Sequence, residues 1–143
     1  MVAAAARRLR HDRRGLYLAI AGIGWCLFGV QLVLDPRPGT IRAAAILAHI
    51  QPLHAWGWVW ITCGAVAVLA AVRQCPATRT WGFAAAEFPP LIWALGYTAA
   101  WLTGEYPQSW AGAATWACSA FRLMVVAGWA DRIRADRGEG AGG

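Results

Sequence analysis

From Gly15 to Leu34 the chain runs for twenty residues without a charge. A bilayer core of about 30 Å is crossed by roughly 20 apolar residues in a helix. Backbone polar groups in hydrocarbon must be satisfied within the segment. The run therefore predicts a transmembrane helix and makes lipid the main solvent of the fold. Composition agrees: 59% of residues are hydrophobic and 14% charged, where soluble domains carry about 25% charged. A basic arm over residues 1–14, with Arg7, Arg8, Arg10, Arg13 and Arg14, precedes the run. The run exceeds a secretory h-region, and Val33-Leu34-Asp35-Pro36 lacks a small-residue cleavage pattern, so an uncleaved first span is expected.

Three further spans follow. Asp35-Pro36-Arg37-Pro38-Gly39 is turn chemistry. Thr40 then caps a short helix over about 41–50. In it Ala43, Ile46, Leu47 and Ile50 share one face, and Arg42, Ala45 and His49 the other, as suits a membrane surface. The second span, about 55–72, ends at Arg73, and the polar link through Thr80 contains Cys75, Pro76 and Arg79. A third span over about 81–103 is predicted to kink at Pro89 and Pro90. After the turn Glu105-Tyr106-Pro107-Gln108, Ser109 caps a fourth span over about 110–129. Residues 131–143 form a charged, glycine-rich tail, read as flexible. The expected fold is all-α: an integral membrane bundle of four transmembrane helices in a domain over 15–130, with a short interfacial helix.

The arginines orient this arrangement. All 13 basic residues are Arg. With the N-terminus inside, ten lie on the cytoplasmic side and two outside, Arg37 and Arg42. The positive-inside rule thus selects cytoplasmic N- and C-termini in the plasma membrane. Tryptophan and tyrosine pair an apolar ring with a polar handle and favour the two interfaces. Trp56, Trp58, Trp60, Trp101 and Trp110 are assigned to an outer aromatic belt, and Trp81 and Trp129 to an inner one.

Within the spans lie two ionisable residues, Glu87 and Arg122. Charges in hydrocarbon are costly and mark sites or partners. At 1.5 Å per residue, Glu87 is about 9 Å beyond Trp81 and Arg122 about 12 Å before Ala130. Equal depth on adjacent antiparallel helices predicts an intramembrane ion pair. Pro89 and Pro90 also deprive the carbonyls of Ala85 and Ala86 of helical donors. A guanidinium with five donors can serve both a carboxylate and such carbonyls. A structural lock is the plainer reading of this pair, and an ion or proton role the sharper one.

Other candidates are weaker. Cys26, Cys63, Cys75 and Cys118 show no C-x-x-C spacing, so packing outweighs a redox or zinc role. His49 and His54 flank the start of the second span without an adjacent carboxylate or cysteine, so interfacial polar residues outweigh a metal or external-pH role and no cofactor is expected. Small residues recur at helical spacing: Gly22 and Gly29, then Cys63, Ala67 and Ala71, then Gly96 and Ala100, then Ala114 and Cys118. Such stripes pack helices within one bundle or join copies into a homo-oligomer. The basic arm suits anionic lipid, at about 1 kcal/mol per nearby Arg. It has no stacking aromatic or motif that would read nucleic acid. No nucleophile elbow, P-loop or zincin helix is present, so a non-enzymatic protein is expected.

Pro52-Leu53-His54-Ala55-Trp56-Gly57-Trp58 and Phe88-Pro89-Pro90-Leu91-Ile92-Trp93 resemble segments of small, Trp-rich, multi-span membrane proteins of actinobacteria and their phages. The resemblance is one of layout and transfers no functional residue. A phage relationship implies a holin-like lysis role, and the leading expectation is a non-enzymatic scaffold or a holin-like protein that oligomerises. The alternative is a small transporter or channel subunit that uses Glu87 and Arg122.

Overall fold

A computed structural model describes residues 12–73 and 75–128. The described residues are all-helical, in six elements. Helix α1 is Arg13–Leu34, α2 Pro38–Ala43, α3 Ala45–Ile50, α4 Leu53–Arg73, α5 Pro76–Leu102 and α6 Ser109–Ala127. Three of them, α1, α4 and α6, are long and apolar enough to cross a membrane. Helix α5 has 27 residues, about 40 Å at helical rise. It is less apolar than the other three, because it contains Arg79, Glu87, two internal prolines and several polar or aromatic residues.

The helix starts follow local chemistry. The Asp12 carboxylate caps α1 by accepting from the Gly15 N–H at 3.0 Å. Proline occupies the first position of both α2 and α5, where its missing N–H costs nothing. The expected caps at Thr40 and Ser109 lie inside their helices instead. Arg37 precedes α2, and the Ser109 hydroxyl donates back to the Tyr106 carbonyl at 2.6 Å.

The long helices run antiparallel in sequence order. Asp12 at the start of α1 meets Arg79 near the start of α5, and Arg14 meets Ala127 at the end of α6. Helices α1 and α4 make the most extensive contact, and glycines set its closeness. A Cβ at Gly22 would lie 2.6 Å from the Gly64 carbonyl oxygen, and one at Gly29 would lie 2.5 Å from that of Gly57. Two seven-residue glycine repeats, read in opposite directions, thus let the backbones touch where no solvent drives helices together.

The core has two parts. Near the start of α1, Leu18, Ala67, Ala70, Phe83, Ala86, Leu123 and Val126 pack together. Toward the far end, Leu32, Leu47, Trp56, Trp60, Trp93 and Tyr97 form a second, aromatic cluster. The outward faces remain apolar, with Ile23, Leu27, Leu69, Leu95, Phe121 and Met124 all exposed. A bundle apolar on both its inner and outer faces is consistent with membrane localisation.

The segment expected as one surface helix is two short helices broken at Ala44. Its inward residues are Ala44 and Leu47, while Ile50 is 71% exposed. Leu47 packs on Gly96 of α5, and the Leu47 carbonyl accepts from the Trp56 indole N–H at 3.0 Å. Docking against α5 and α4, rather than the amphipathic pattern of the segment alone, selects the buried face.

Candidate functional site

Helix α5 passes through Pro89 and Pro90 without ending, and both prolines are fully buried. The carbonyl of Ala86, whose helical donor Pro90 removes, accepts from the Trp25 indole Nε1 of α1 at 3.0 Å. The need for a donor at this break was legible in the chain; the donor is Trp25 and not Arg122.

Glu87 and Arg122 do not pair. The Arg122 Nε donates to the carbonyl of Cys118 on its own helix at 3.3 Å. Its side chain lines a groove between α1 and α6 with Tyr17, Ile20, Trp25 and Ser119. Glu87 lines a different groove, with Arg14, Thr80, Phe83, Leu123 and Met124. Buried Leu123 stands between the two grooves and lines both. The cause is azimuth: neighbouring helical residues point about 100° apart. Arg122 therefore falls on the α1 side of Leu123, and Glu87 meets the other side. Equal depth along a span does not bring two side chains together.

The cation in the Glu87 groove is Arg14. Its Nη2 donates to the Ala127 carbonyl at 2.7 Å, near the last turn of α6. Cations there oppose the negative end of the helix dipole. The guanidinium also sits 5.4 Å from the centroid of the Phe83 ring, within cation–π reach. The groove has a volume of about 270 Å³. Glu87 Oε1 is buried in it and accepts no hydrogen bond from any of the described residues. A carboxyl so placed can hold a proton, or bond to water admitted by the groove.

A second charge pair lies nearby. Arg79, almost fully buried, bonds through Nη2 to the Asp12 carboxylate, the same group that caps α1. The pair joins the first turns of α1 and α5. The chain alone does not mark it, since both residues fall in segments read as polar arm and link. The signal is that Asp12 stands three residues before Gly15, as a helix cap does.

Between these groups and the far end lies the aromatic cluster, with rings from four helices. Trp60 is the hub: it lies 5.0 Å from Trp25, 4.8 Å from Phe28, 5.5 Å from Trp93 and 5.1 Å from Trp116, between centroids. Trp56 adds an edge contact to Trp93 at 5.5 Å. These are the tilted and edge-on geometries that aromatic quadrupoles favour. Trp56 and Trp60 thus belong to the interior and not to an outer belt. Four residues apart on α4, they share its inward face, while Trp58, about 200° round, is 57% exposed. Trp81, Trp101 and Trp110 are exposed near helix ends. Trp129 lies outside the described residues.

The remaining candidates stay apart. All four cysteines are free thiols, and the Cys26 Sγ donates to the Ile61 carbonyl at 3.5 Å. His49 and His54 are exposed. No group of three metal-ligating side chains occurs among the described residues. Cys75 sits exposed at the N-cap of α5, where the N–H groups of Thr78 and Ala77 hold its thiol pKa below the ordinary value. Compared with known families, with curated proteins and with solved structures, the chain matches none.

Proposed function

We propose that the protein is a non-enzymatic, four-span integral membrane protein with both termini cytoplasmic, which acts through lipid contact and self-association. The observation that carries this reading is the closed interior. Trp60 and Trp93 are 0% exposed at the centre of a cluster drawn from four helices. A protomer filled in this way offers no aqueous path through its middle, so its working surfaces are the outer faces. Those faces are broad and apolar. A scaffold, or a holin-like protein that permeabilises a membrane only as an oligomer, uses such faces.

The four-span reading adds α5 to the three more apolar helices. At about 40 Å, α5 is long enough to cross, and it packs against both α4 and α6. The distribution of arginines supports cytoplasmic termini, and it places Arg13 and Arg14 where anionic lipid attracts them.

Cys75 tests this topology directly, since it is exposed in the link between α4 and α5. A membrane-impermeant maleimide should label it in inverted vesicles and not in intact cells; the opposite pattern overturns the orientation. In-membrane cross-linking should yield homo-oligomers, and a monomer at all expression levels defeats self-association. Inducible expression then separates the two forms. Abrupt permeabilisation at a fixed time indicates a holin-like protein, and intact membranes indicate a scaffold.

A second reading, a small transporter or channel subunit, is favoured by one observation. Among the described residues, Glu87 Oε1 is buried without a hydrogen-bond partner, in a groove it shares with Arg14.

A further inference from the structure

We infer that Glu87 is a proton-exchanging carboxyl, reached by water from the cytoplasmic end of the bundle through the groove between α5 and α6. The ligand of the site is the proton itself, delivered and removed by water: a hydronium ion protonates the carboxylate and leaves a water molecule behind. The site goes beyond the role of scaffold. It rests on the four-span reading in one respect, that the Arg14 end of the groove faces the cytoplasm.

The hydrogen-bond inventory of the groove leads to this assignment. Its volume of about 270 Å³ exceeds the roughly 30 Å³ that one water occupies in the liquid. Besides Glu87, its polar lining side chains are Thr80 and Arg14. The Thr80 hydroxyl proton is committed to the Pro76 carbonyl at 3.2 Å, and Arg14 Nη2 is committed to the Ala127 carbonyl. Glu87 Oε1 is buried and takes a bond from neither. A carboxyl group in apolar surroundings either binds a proton or recruits water. The groove supplies room for water, and Glu87 supplies the site.

The charges around Glu87 give access a direction. Seven residues of α5 separate Thr80 from Glu87, about 10 Å along the axis. Arg14 and Thr80 stand toward the start of α1 and α5. Near them the Asp12–Arg79 pair ties those two helix ends together. From α6 the groove receives Leu123, Met124 and Ala127, with no ionisable group. Arg122 faces the neighbouring groove. Among the described residues, Arg14 is the charged side chain that shares this groove with Glu87. Toward the far end, the aromatic cluster closes the bundle, so exchange is one-sided.

Dicyclohexylcarbodiimide, which enters lipid and reacts with protonated carboxyls, is a direct probe. The acid O–H adds across one C=N bond, oxygen to carbon and proton to nitrogen, and the adduct rearranges to an N-acylurea without losing an atom. With the protein in lipid vesicles, peptide mass mapping should find the adduct at Glu87, and labelling should fall tenfold or more between about pH 5 and about pH 9. Glu87→Gln should abolish the adduct and keep the near-ultraviolet circular dichroism of the tryptophan cluster. An unlabelled Glu87 in folded protein, or labelling independent of pH, overturns the inference. The two readings fail separably. Cys75 labelled only from the cytoplasmic side with a non-titrating Glu87 defeats the proton site alone. Cys75 labelled from outside overturns the topology, and with it the cytoplasmic access inferred for Glu87.

Discussion

The Trp25 indole N–H donates to the Ala86 carbonyl at 3.0 Å, across 61 residues of chain. It replaces the helical donor that Pro90 cannot supply. A buried carbonyl left without a partner is costly, so this bond offsets one of the donors that the buried Pro89 and Pro90 remove from α5. Trp25→Phe keeps the ring and loses the donor. It should destabilise the bundle by about 1–3 kcal/mol, read by thermal unfolding in detergent. Pro90→Ala restores a backbone N–H, and in that background Trp25→Phe should cost measurably less. Equal costs in both backgrounds would show that the bond is incidental.

How much of this is legible in the sequence depends on whether the information is axial or azimuthal. Helix ends near Asp35, Arg73 and Glu105 are readable, because charges and turn residues interrupt the apolar runs there, whereas α5 starts at Pro76, inside the segment expected to be a link. The orphan carbonyl at Ala86 was readable too, since proline chemistry is local. Its partner was not: nothing local to Trp25 says that it faces Ala86. The same gap separates Glu87 from Arg122, which simple counting puts at similar depth and the bundle puts in different grooves. Trp60 shows why. A helix apolar on all sides carries no stripe that distinguishes lipid from core, so a tryptophan near its end reads as belt until a neighbouring helix covers it.

The glycine crossings can be tested by adding one methyl group. Gly64→Ala places a Cβ 2.5 Å from the Gly22 carbonyl oxygen and 2.7 Å from the Cys26 Sγ. Separation of α1 and α4 should follow, with a cost of about 1–3 kcal/mol. Gly24 lies on the same helix as Gly22 with nothing within 4 Å of its Cβ position. Gly24→Ala should therefore be neutral or slightly stabilising, by helix propensity alone. Comparing the two by thermal unfolding separates packing from propensity, and similar losses in both would refute the close crossing.

Trp58 and Trp60 make an internal control for the aromatic core. Trp60→Ala removes the hub of four ring contacts and should cost about 3–5 kcal/mol. It should also collapse much of the near-ultraviolet circular dichroism, which depends on rings fixed against one another. Trp58→Ala, at an outward position, should change stability by about 0.5 kcal/mol or less. Comparable effects from the two would return Trp60 to a belt role.

The Asp12–Arg79 pair predicts a graded response, because Asp12 does two things. It accepts from the Gly15 N–H and pairs with Arg79. Asp12→Asn retains an N-cap oxygen and removes the charge, whereas Asp12→Ala removes both. Breaking a buried pair from one side costs about 3–5 kcal/mol, and loss of a cap adds about 1 kcal/mol. Unfolding midpoints should therefore fall in the order wild type, Asp12→Asn, Asp12→Ala. Identical midpoints for the two variants would mean that the cap contributes nothing beyond the ion pair.

Cys75 carries the last prediction, a pH dependence outside the spans. The backbone N–H groups of Thr78 and Ala77 at the start of α5 hold its pKa below the ordinary value. The thiolate is the form that reacts. A lowered pKa means that thiolate appears at lower pH than in an unstructured peptide. Iodoacetamide should thus modify Cys75 with a pH midpoint below that of a cysteine-containing peptide of the same local sequence. Ala77→Pro removes one of the two donors at a position in the first helical turn where proline is tolerated. The midpoint should rise toward the peptide's value while the helix persists. A midpoint equal to the peptide's in the wild type would show that the start of α5 does not hold Cys75 in its N-cap.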